Sequence, residues 1–220
     1  SLALSAWFSC LEPIKLTISK NQLILEASED DKWLVTDLPE KDANILSAKF
    51  LENKKNINGQ GLEISHEGVK TCLSKGLSVL QGNADTDLVN FPKNSFDYVI
   101  LSRTLQATHK PKEVLKEMLR IGKKCIVSFP NFAHWKCRLD LLLKGVMPMT
   151  KTLSEPWYQT PNIHLCTIKD FINICELLNI SVDKAFRLSE SGSIKTTDRP
   201  ESFYNNLFSV EGVFVISQKT

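Results

Sequence analysis

The chain has 220 residues, the length of one domain or of one domain with an added lobe, and 42% hydrophobic and 24% charged residues, as in globular proteins. Its 27 lysines and arginines nearly balance 25 aspartates and glutamates, and this formal charge of +2 argues against nucleic-acid binding by bulk charge. No apolar run approaches the 18 residues that span a bilayer, so we expect no membrane insertion.

Short apolar runs predict a series of strands in chain order. The predicted strands are Trp33–Asp37, Gly61–Ile64, Ser78–Gln81, Asp97–Leu101, Lys124–Phe129 and Val213–Ser217. Helical periodicity predicts helices before and between them, at Asn21–Ala27, Ala43–Leu51, His66–Lys75 and Lys112–Ile121. Gly76 and Gly122 follow the last two helices, where a left-handed cap is expected.

The alternation of strand and helix predicts an α/β protein with a Rossmann-like, doubly wound, mostly parallel sheet. Ligands of such sheets bind at the carboxyl ends of the strands. Residues 130–165 break the alternation and predict an insert after the fifth strand, with a helix at His134–Lys144 and a proline-containing loop. Such a long loop is typical of a lid or a binding surface. We expect one domain over residues 17–220, preceded by an extension at 1–16.

The first strand–turn–helix unit of this fold usually holds a nucleotide against bare backbone, which requires glycines. Here Asp37 ends the strand, but the turn before Asp42 contains Pro39 and no glycine. A side chain forced into a glycine conformation costs about 1–3 kcal/mol. The turn is therefore predicted to weaken nucleotide binding.

Polar residues also end the next two predicted strands. Glu63 stands where an acidic residue typically binds ribose hydroxyls, and the alternative is a solvated glutamate at a strand end. Asn83 could accept a hydrogen bond from an adenine amine through its amide oxygen, and the alternative is a plain Asx turn.

The central and later parts of the chain carry specific strings. Asn94–Gln106 reads NSFDYVILSRTLQ, Ile126–Phe132 reads IVSFPNF, and Trp157–Ile168 reads WYQTPNIHLCTI. With Pro111–Arg120, His134-Trp135 and Met147-Pro148 between them, these strings resemble the methionine biosynthesis protein MetW family, within the class I S-adenosylmethionine-dependent methyltransferase fold. The resemblance covers about residues 16–180.

The resemblance implies a cofactor site and a partner. It implies S-adenosylmethionine as the cofactor, although Pro39, Glu40, Lys41 and Ala43 replace the cysteine and glycines of the family's first motif. Asn83 stands where the family's third motif usually has aspartate. The implied cofactor-binding residues are Asp37, Asp42, Glu63, Ile64, Asn83, Ala84 and Ser102. The implied partner is a homoserine O-acyltransferase that makes O-acylhomoserine, the precursor of methionine.

The loop holding Trp157, Tyr158, Asn162 and His164 suits recognition of this partner or of a ligand, and the alternative is packing of a lid onto the sheet. No residue is assigned a catalytic role.

Cysteine and histidine residues of the insert carry weaker signals. His134, Cys137, His164 and Cys166 are spaced too tightly for a usual structural zinc site, so no metal is predicted. A nucleophilic pair of Cys166 with His109 or His134 lacks an orienting third group. The six scattered cysteines are typical of reduced, buried thiols in a cytoplasmic protein.

The sequence therefore favours a partner protein of methionine biosynthesis. The alternatives are a S-adenosylmethionine-dependent methyltransferase of unknown acceptor, and a small-molecule sensor with a remodelled pocket.

Overall fold

The computed structural model describes residues 15–19, 22–26, 32–36, 58–150, 152–191 and 194–219. Within these ranges the strands are β1 (Lys15–Ser19), β2 (Gln22–Glu26), β3 (Lys32–Thr36), β4 (Asn58–Glu63), β5 (Val79–Gln81), β6 (Phe96–Ser102), β7 (Gly122–Pro130), β8 (Ile180–Leu188), β9 (Ile194–Thr196) and β10 (Glu211–Gln218). The helices are α1 (His66–Ser74), α2 (Pro111–Ile121), α3 (Trp135–Leu139), α4 (Ile168–Leu177) and α5 (Phe203–Phe208).

Eight strands form one mixed sheet in the order β5-β4-β3-β6-β7-β10-β8-β9. Neighbouring strands from β5 through β7 are parallel, whereas β10 runs antiparallel to both β7 and β8. The chain builds the sheet outward from β3 to β5 and then returns to place β6 on the other side of β3. This reversal is the topological switch point of a doubly wound sheet, and it confirms the predicted fold class.

The core lies between the sheet and its helices. Val99 and Leu101 of β6 are fully buried, as the continuous apolar run predicts for a strand covered on both faces. The rings of Phe129, Phe171 and Phe214 pack with centroids 4.6–5.7 Å apart and join β7, α4 and β10. Aromatic burial of this kind contributes about 0.5–1.5 kcal/mol per pair beyond the area term.

Two local predictions are wrong. The predicted helix Asn21–Ala27 is instead strand β2, which pairs antiparallel with β1. Its apolar run is too short for periodicity to separate helix from strand. Gly122 is not a left-handed cap, since its φ is −113°. A Cβ there would lie 2.5 Å from Val99 Cγ2, so close approach of β7 to β6 explains this glycine.

Other predicted elements agree with the structure. Gly76 has a φ of 78°, which confirms its left-handed cap. The insert helix is α3, extended by one π-helical turn over Asp140–Lys144. The helix predicted at Ala43–Leu51 lies outside the described residues, and the division into 1–16 and 17–220 stays a prediction, with β1 spanning that boundary.

None of the helices in the described ranges is long and apolar enough to cross a bilayer.

Candidate functional site

The end of β4 holds a buried carboxylate. Glu63 is 6% exposed, and its Oε1 accepts a hydrogen bond from the Ser65 backbone N–H at 2.8 Å. Gly68 in the first turn of α1 leaves room for this carboxyl group, because a Cβ there would lie 2.7 Å from Glu63 Cδ. The alternative of a solvated glutamate is therefore wrong, and Glu63 is held in place beside the start of α1. The next residue, Ile64, is 54% exposed.

The end of β5 forms a turn around Asn83. Its Oδ1 accepts from the Asp85 backbone N–H at 2.9 Å, which is the geometry of an Asx turn, and its own N–H donates to Asp87 Oδ2 at 2.7 Å. Ala84 is buried within the same turn. The Asx turn predicted as the alternative is thus present, and the amide oxygen keeps a second lone pair for another donor.

The end of β6 is strained and carries a buried ion pair. Arg103 has a φ of 50°, a conformation that is uncommon outside glycine. Its guanidinium makes a bidentate pair with Glu211, whose carboxylate is fully buried, at 2.7–3.2 Å. Ser102 is 2% exposed, and its Oγ has no hydrogen-bond partner within the described part of the chain. Sequence reasoning missed this pair because its members are 108 residues apart.

The remaining predicted cofactor residues, Asp37 and Asp42, lie outside the described residues. The structure brings Glu63, Asn83 and Ser102 to the carboxyl edge of the parallel part of the sheet, where Glu63 ends β4, Asn83 follows β5 and Ser102 ends β6.

The side chain of Asn131, directly after β7, joins the insert to α4 and α5 through hydrogen bonds, and this residue is here called the junction. Its Nδ2 donates to the backbone oxygens of Asn206 and Ser209, both at 2.8 Å. Its Oδ1 accepts from the backbone N–H groups of Ala133 and Ile168, at 3.1 and 3.3 Å. The side chain thus uses all of its hydrogen-bonding capacity while 2% exposed. The string SFPNF contained this residue, but nothing local in the sequence indicated its partners.

The predicted recognition loop exposes its aromatic pair. Trp157 and Tyr158 are 71% and 69% exposed, and their rings contact each other edge to face at a centroid distance of 5.8 Å. The loop backbone is fixed, because the N–H groups of Ile163 and His164 both donate to the Gln106 carbonyl at 2.9 Å. Asn162 is half-buried and His164 is exposed. For the aromatic pair, this geometry disfavours the alternative of a lid packed onto the sheet.

The cysteines of this region are unsuited to nucleophilic chemistry. Burial raises the pKa of the Cys166 thiol to about 12 and that of Cys137 to about 11, so both stay protonated near neutral pH. Within the described ranges, no three histidine, cysteine or acidic side chains are arranged to hold a metal ion.

His134, at the start of α3, is buried, and its Nε2 has no hydrogen-bond partner among the described residues. Burial lowers the pKa of this imidazole. The negative charge of Glu190 raises the pKa in part, and the positive charge of Lys136 lowers it further. The native state therefore holds His134 neutral at pH values where the unfolded state binds a proton.

We predict that the free energy of unfolding decreases as the pH falls below about 6.5, the ordinary pKa of histidine. Urea titrations between pH 7.5 and 5.5 should show a steeper loss for the wild type than for His134→Gln. Equal slopes for the two proteins would show that His134 does not titrate differently in the native and unfolded states.

The fold defines the class of protein. The chain superposes on a SAM-dependent methyltransferase from Thermotoga maritima, described as a possible histamine N-methyltransferase, with a TM-score of 0.59 at 15% identity, covering 86% of this chain and 82% of that one. At this identity the likeness shows the class I methyltransferase fold alone.

The family follows from the sequence. A family model described as "Methionine biosynthesis protein MetW" matches residues 23–216, so the chain belongs to the MetW family. It is 35% identical over 125 residues to a bifunctional methionine biosynthesis protein MetXA/MetW from Rhodopirellula baltica, covering 56% of this chain and 20% of that protein.

A second relative is named as a methyltransferase. The chain is 28% identical over 146 residues to a demethylmenaquinone methyltransferase from Listeria welshimeri, covering 62% of this chain and 61% of that protein. The chain thus spans one fifth of the first relative's length and about three fifths of the second's.

Proposed function

We propose that this chain acts in methionine biosynthesis as the binding partner of a homoserine O-acyltransferase during O-acylhomoserine formation. The observation that carries the proposal is the exposed pair Trp157 and Tyr158 on a loop fixed to the backbone of Gln106. Rigid, exposed aromatic side chains are enriched among the residues that dominate protein interfaces. Together with Asn162 and His164, they form the proposed recognition loop.

The bifunctional relative supports the identity of the partner. In that protein the MetW part shares one polypeptide with a MetXA part, which raises the effective concentration of each for the other. Separate chains that act together need a docking surface to reach the same proximity. Five free thiols among the described residues support a reducing compartment, and we place the complex in the cytoplasm.

Co-purification tests this proposal. We predict that the tagged chain retains the acyltransferase of its own organism, and that Trp157→Ala/Tyr158→Ala raises the Kd at least tenfold, the usual effect of removing interface hot spots. Leu73→Ala is the matched control, because this side chain is 57% exposed on α1 and should leave the Kd unchanged. The absence of any complex at micromolar concentrations would contradict the proposal.

A second part of the proposal concerns the cofactor. Glu63 at the end of β4 and Asn83 after β5 would hold the ribose and adenine of S-adenosylmethionine, which would supply a methyl group when bound. The glycine-free sequence after Asp37 opposes binding of this group, since proline, as at Pro39, lacks a backbone N–H and has a fixed φ. We therefore propose that the chain binds the cofactor weakly.

Isothermal titration measures this affinity. At about 1–3 kcal/mol for each strained position, we predict no saturable binding of S-adenosylmethionine below a concentration of about 100 μM. A low-micromolar Kd would contradict the prediction.

The alternative function is methyl transfer to an unknown acceptor. The polar groups at the ends of β4 and β5 favour it, because they occupy two of the usual contact positions of the fold. A radiolabelled methyl-transfer assay against cell extract separates the two functions: transfer to a defined acceptor would establish the enzyme, and its absence would favour the partner protein.

A further inference from the structure

Helix α5 buries polar side chains and exposes aromatic ones, the reverse of an ordinary amphipathic surface helix. Asn205 and Asn206 are 9% and 8% exposed and face the protein, whereas Phe203, Tyr204 and Phe208 are 73%, 57% and 42% exposed. A surface helix ordinarily buries its apolar face and exposes its polar face. Clustered exposed aromatic side chains on a folded protein mark an interaction site.

Hydrogen bonds hold this reversed helix in place. Asn205 Nδ2 donates to the Arg199 carbonyl and to Thr197 Oγ1, both at 2.8 Å. The Asn206 carbonyl accepts from the Asn131 side chain, and the Ser202 hydroxyl caps the first turn. These hydrogen bonds therefore fix the helix so that its aromatic side chains point outward, with the Tyr204 and Phe208 rings in contact at a centroid distance of 4.8 Å.

Two guanidinium groups lie over the exposed rings. Arg138 of α3 stands 5.8 Å from the Phe203 ring centroid, and Arg187 of β8 stands 5.3 Å from that of Tyr204. Neither arginine forms an ion pair with a carboxylate of the described residues. The surface formed by Arg138, Arg187, Phe203, Tyr204 and Phe208, here called the α5 face, is therefore aromatic with a positive border.

The α5 face is anchored at the same junction as the recognition loop. Asn131 binds the backbone of α5, and the neighbouring Phe132 N–H donates to the Cys166 carbonyl at the end of the loop segment. Both surfaces are therefore attached to the same backbone segment, Asn131-Phe132.

The contact area that the two surfaces offer also favours a shared partner. Each aromatic side chain buries about 150–250 Å² in an interface. Trp157 and Tyr158 alone therefore fall short of the roughly 800 Å² that each side of a standard interface buries. A stable complex through the recognition loop needs further contact area, and the α5 face offers three more aromatic side chains.

We infer that the α5 face is a second contact region for the homoserine O-acyltransferase, and that it receives an apolar surface of that enzyme bordered by carboxylates. The inference rests on the proposed function. The rings supply the contact area, and the arginines, already held over them, supply charge complementarity without further ordering of long side chains.

Affinity measurements with the full chain and the purified acyltransferase test the inference. We expect Phe203→Ser/Tyr204→Ser to raise the Kd about thirtyfold, the effect of losing an interface hot spot. Leu177→Ser, at a side chain that is 69% exposed on α4, is the matched control and should bind as the wild type does. Thermal unfolding of each variant verifies that the fold is retained.

A charge reversal tests the same surface without touching the helix. Arg187→Glu should weaken the complex and reduce the dependence of the Kd on salt, whereas Lys116→Glu, an equal charge change at an exposed position of α2, should do neither.

The outcomes separate the inference from the proposed function. If the wild type binds the acyltransferase and Trp157→Ala/Tyr158→Ala weakens it, but the α5 variants bind as the wild type does, the inference is wrong and the proposed function stands. If the wild type does not bind, both are wrong. If the wild type instead forms a dimer that Phe203→Ser/Tyr204→Ser abolishes, a second copy of this chain occupies the face and the inference is wrong.

Discussion

Replacing Arg103 with glutamine is expected to lower the free energy of unfolding by about 3–5 kcal/mol, because it leaves the fully buried Glu211 carboxylate without its partner. For a chain of this length the loss corresponds to a fall in Tm of roughly 10 °C. The pair joins the end of β6 to the start of β10, so its loss should also loosen the carboxyl edge of the sheet.

Two further variants make this measurement specific. Lys144→Gln removes an ion pair whose lysine side chain is 68% exposed, and it should cost less than about 1 kcal/mol. The double variant Arg103→Gln/Glu211→Gln removes the uncompensated charge and should recover most of the stability. A single variant as stable as the wild type would contradict a structural role for the pair.

The second large effect is expected at Asn131. Asn131→Ala leaves two backbone carbonyls and two backbone N–H groups without their buried partner. At about 1 kcal/mol for each of the four orphaned groups, the loss of stability should be about 4 kcal/mol. Because α4 and α5 both attach here, the loss should be accompanied by faster amide hydrogen exchange in residues 203–209.

Asn162→Ala is the control for this position. Asn162 is half-buried in the recognition loop, where its backbone N–H donates to Thr160 Oγ1, and alanine keeps that N–H. We expect a change in stability below about 0.5 kcal/mol. If Asn131→Ala were equally mild, the junction would not hold the insert.

Local patterns predicted six of the eight strands of the sheet, β3 to β7 and β10, whereas β8 and β9 were not predicted. Val99-Ile100-Leu101 is continuously apolar and lies in a strand covered on both faces, as expected. The spacing of Val114, Leu115 and Met118 identified α2, and all three side chains are buried. These elements follow from the sequence because each of them satisfies the usual rule of apolar burial.

Two elements that sequence reasoning missed or misassigned, α5 and β2, do not follow such a rule. Helix α5 buries its asparagines and exposes its aromatic side chains, so no periodic pattern predicts it. Strand β2 has an apolar run that is too short to distinguish strand from helix. In the candidate site, the positions of Glu63 and Asn83 at strand ends were predictable, whereas their hydrogen-bond partners depend on turn geometry and on the glycine at position 68.

We propose that this chain contributes to methionine biosynthesis through contact with an acyltransferase and not through a bound methyl donor. The most direct test is the rate of O-acylhomoserine formation by the purified acyltransferase, titrated with this chain in the absence of S-adenosylmethionine. We predict that the rate rises and saturates with the amount of chain added, and that S-adenosylmethionine does not change it. A rate that does not respond to the chain, or that rises only when S-adenosylmethionine is present, would contradict the claim.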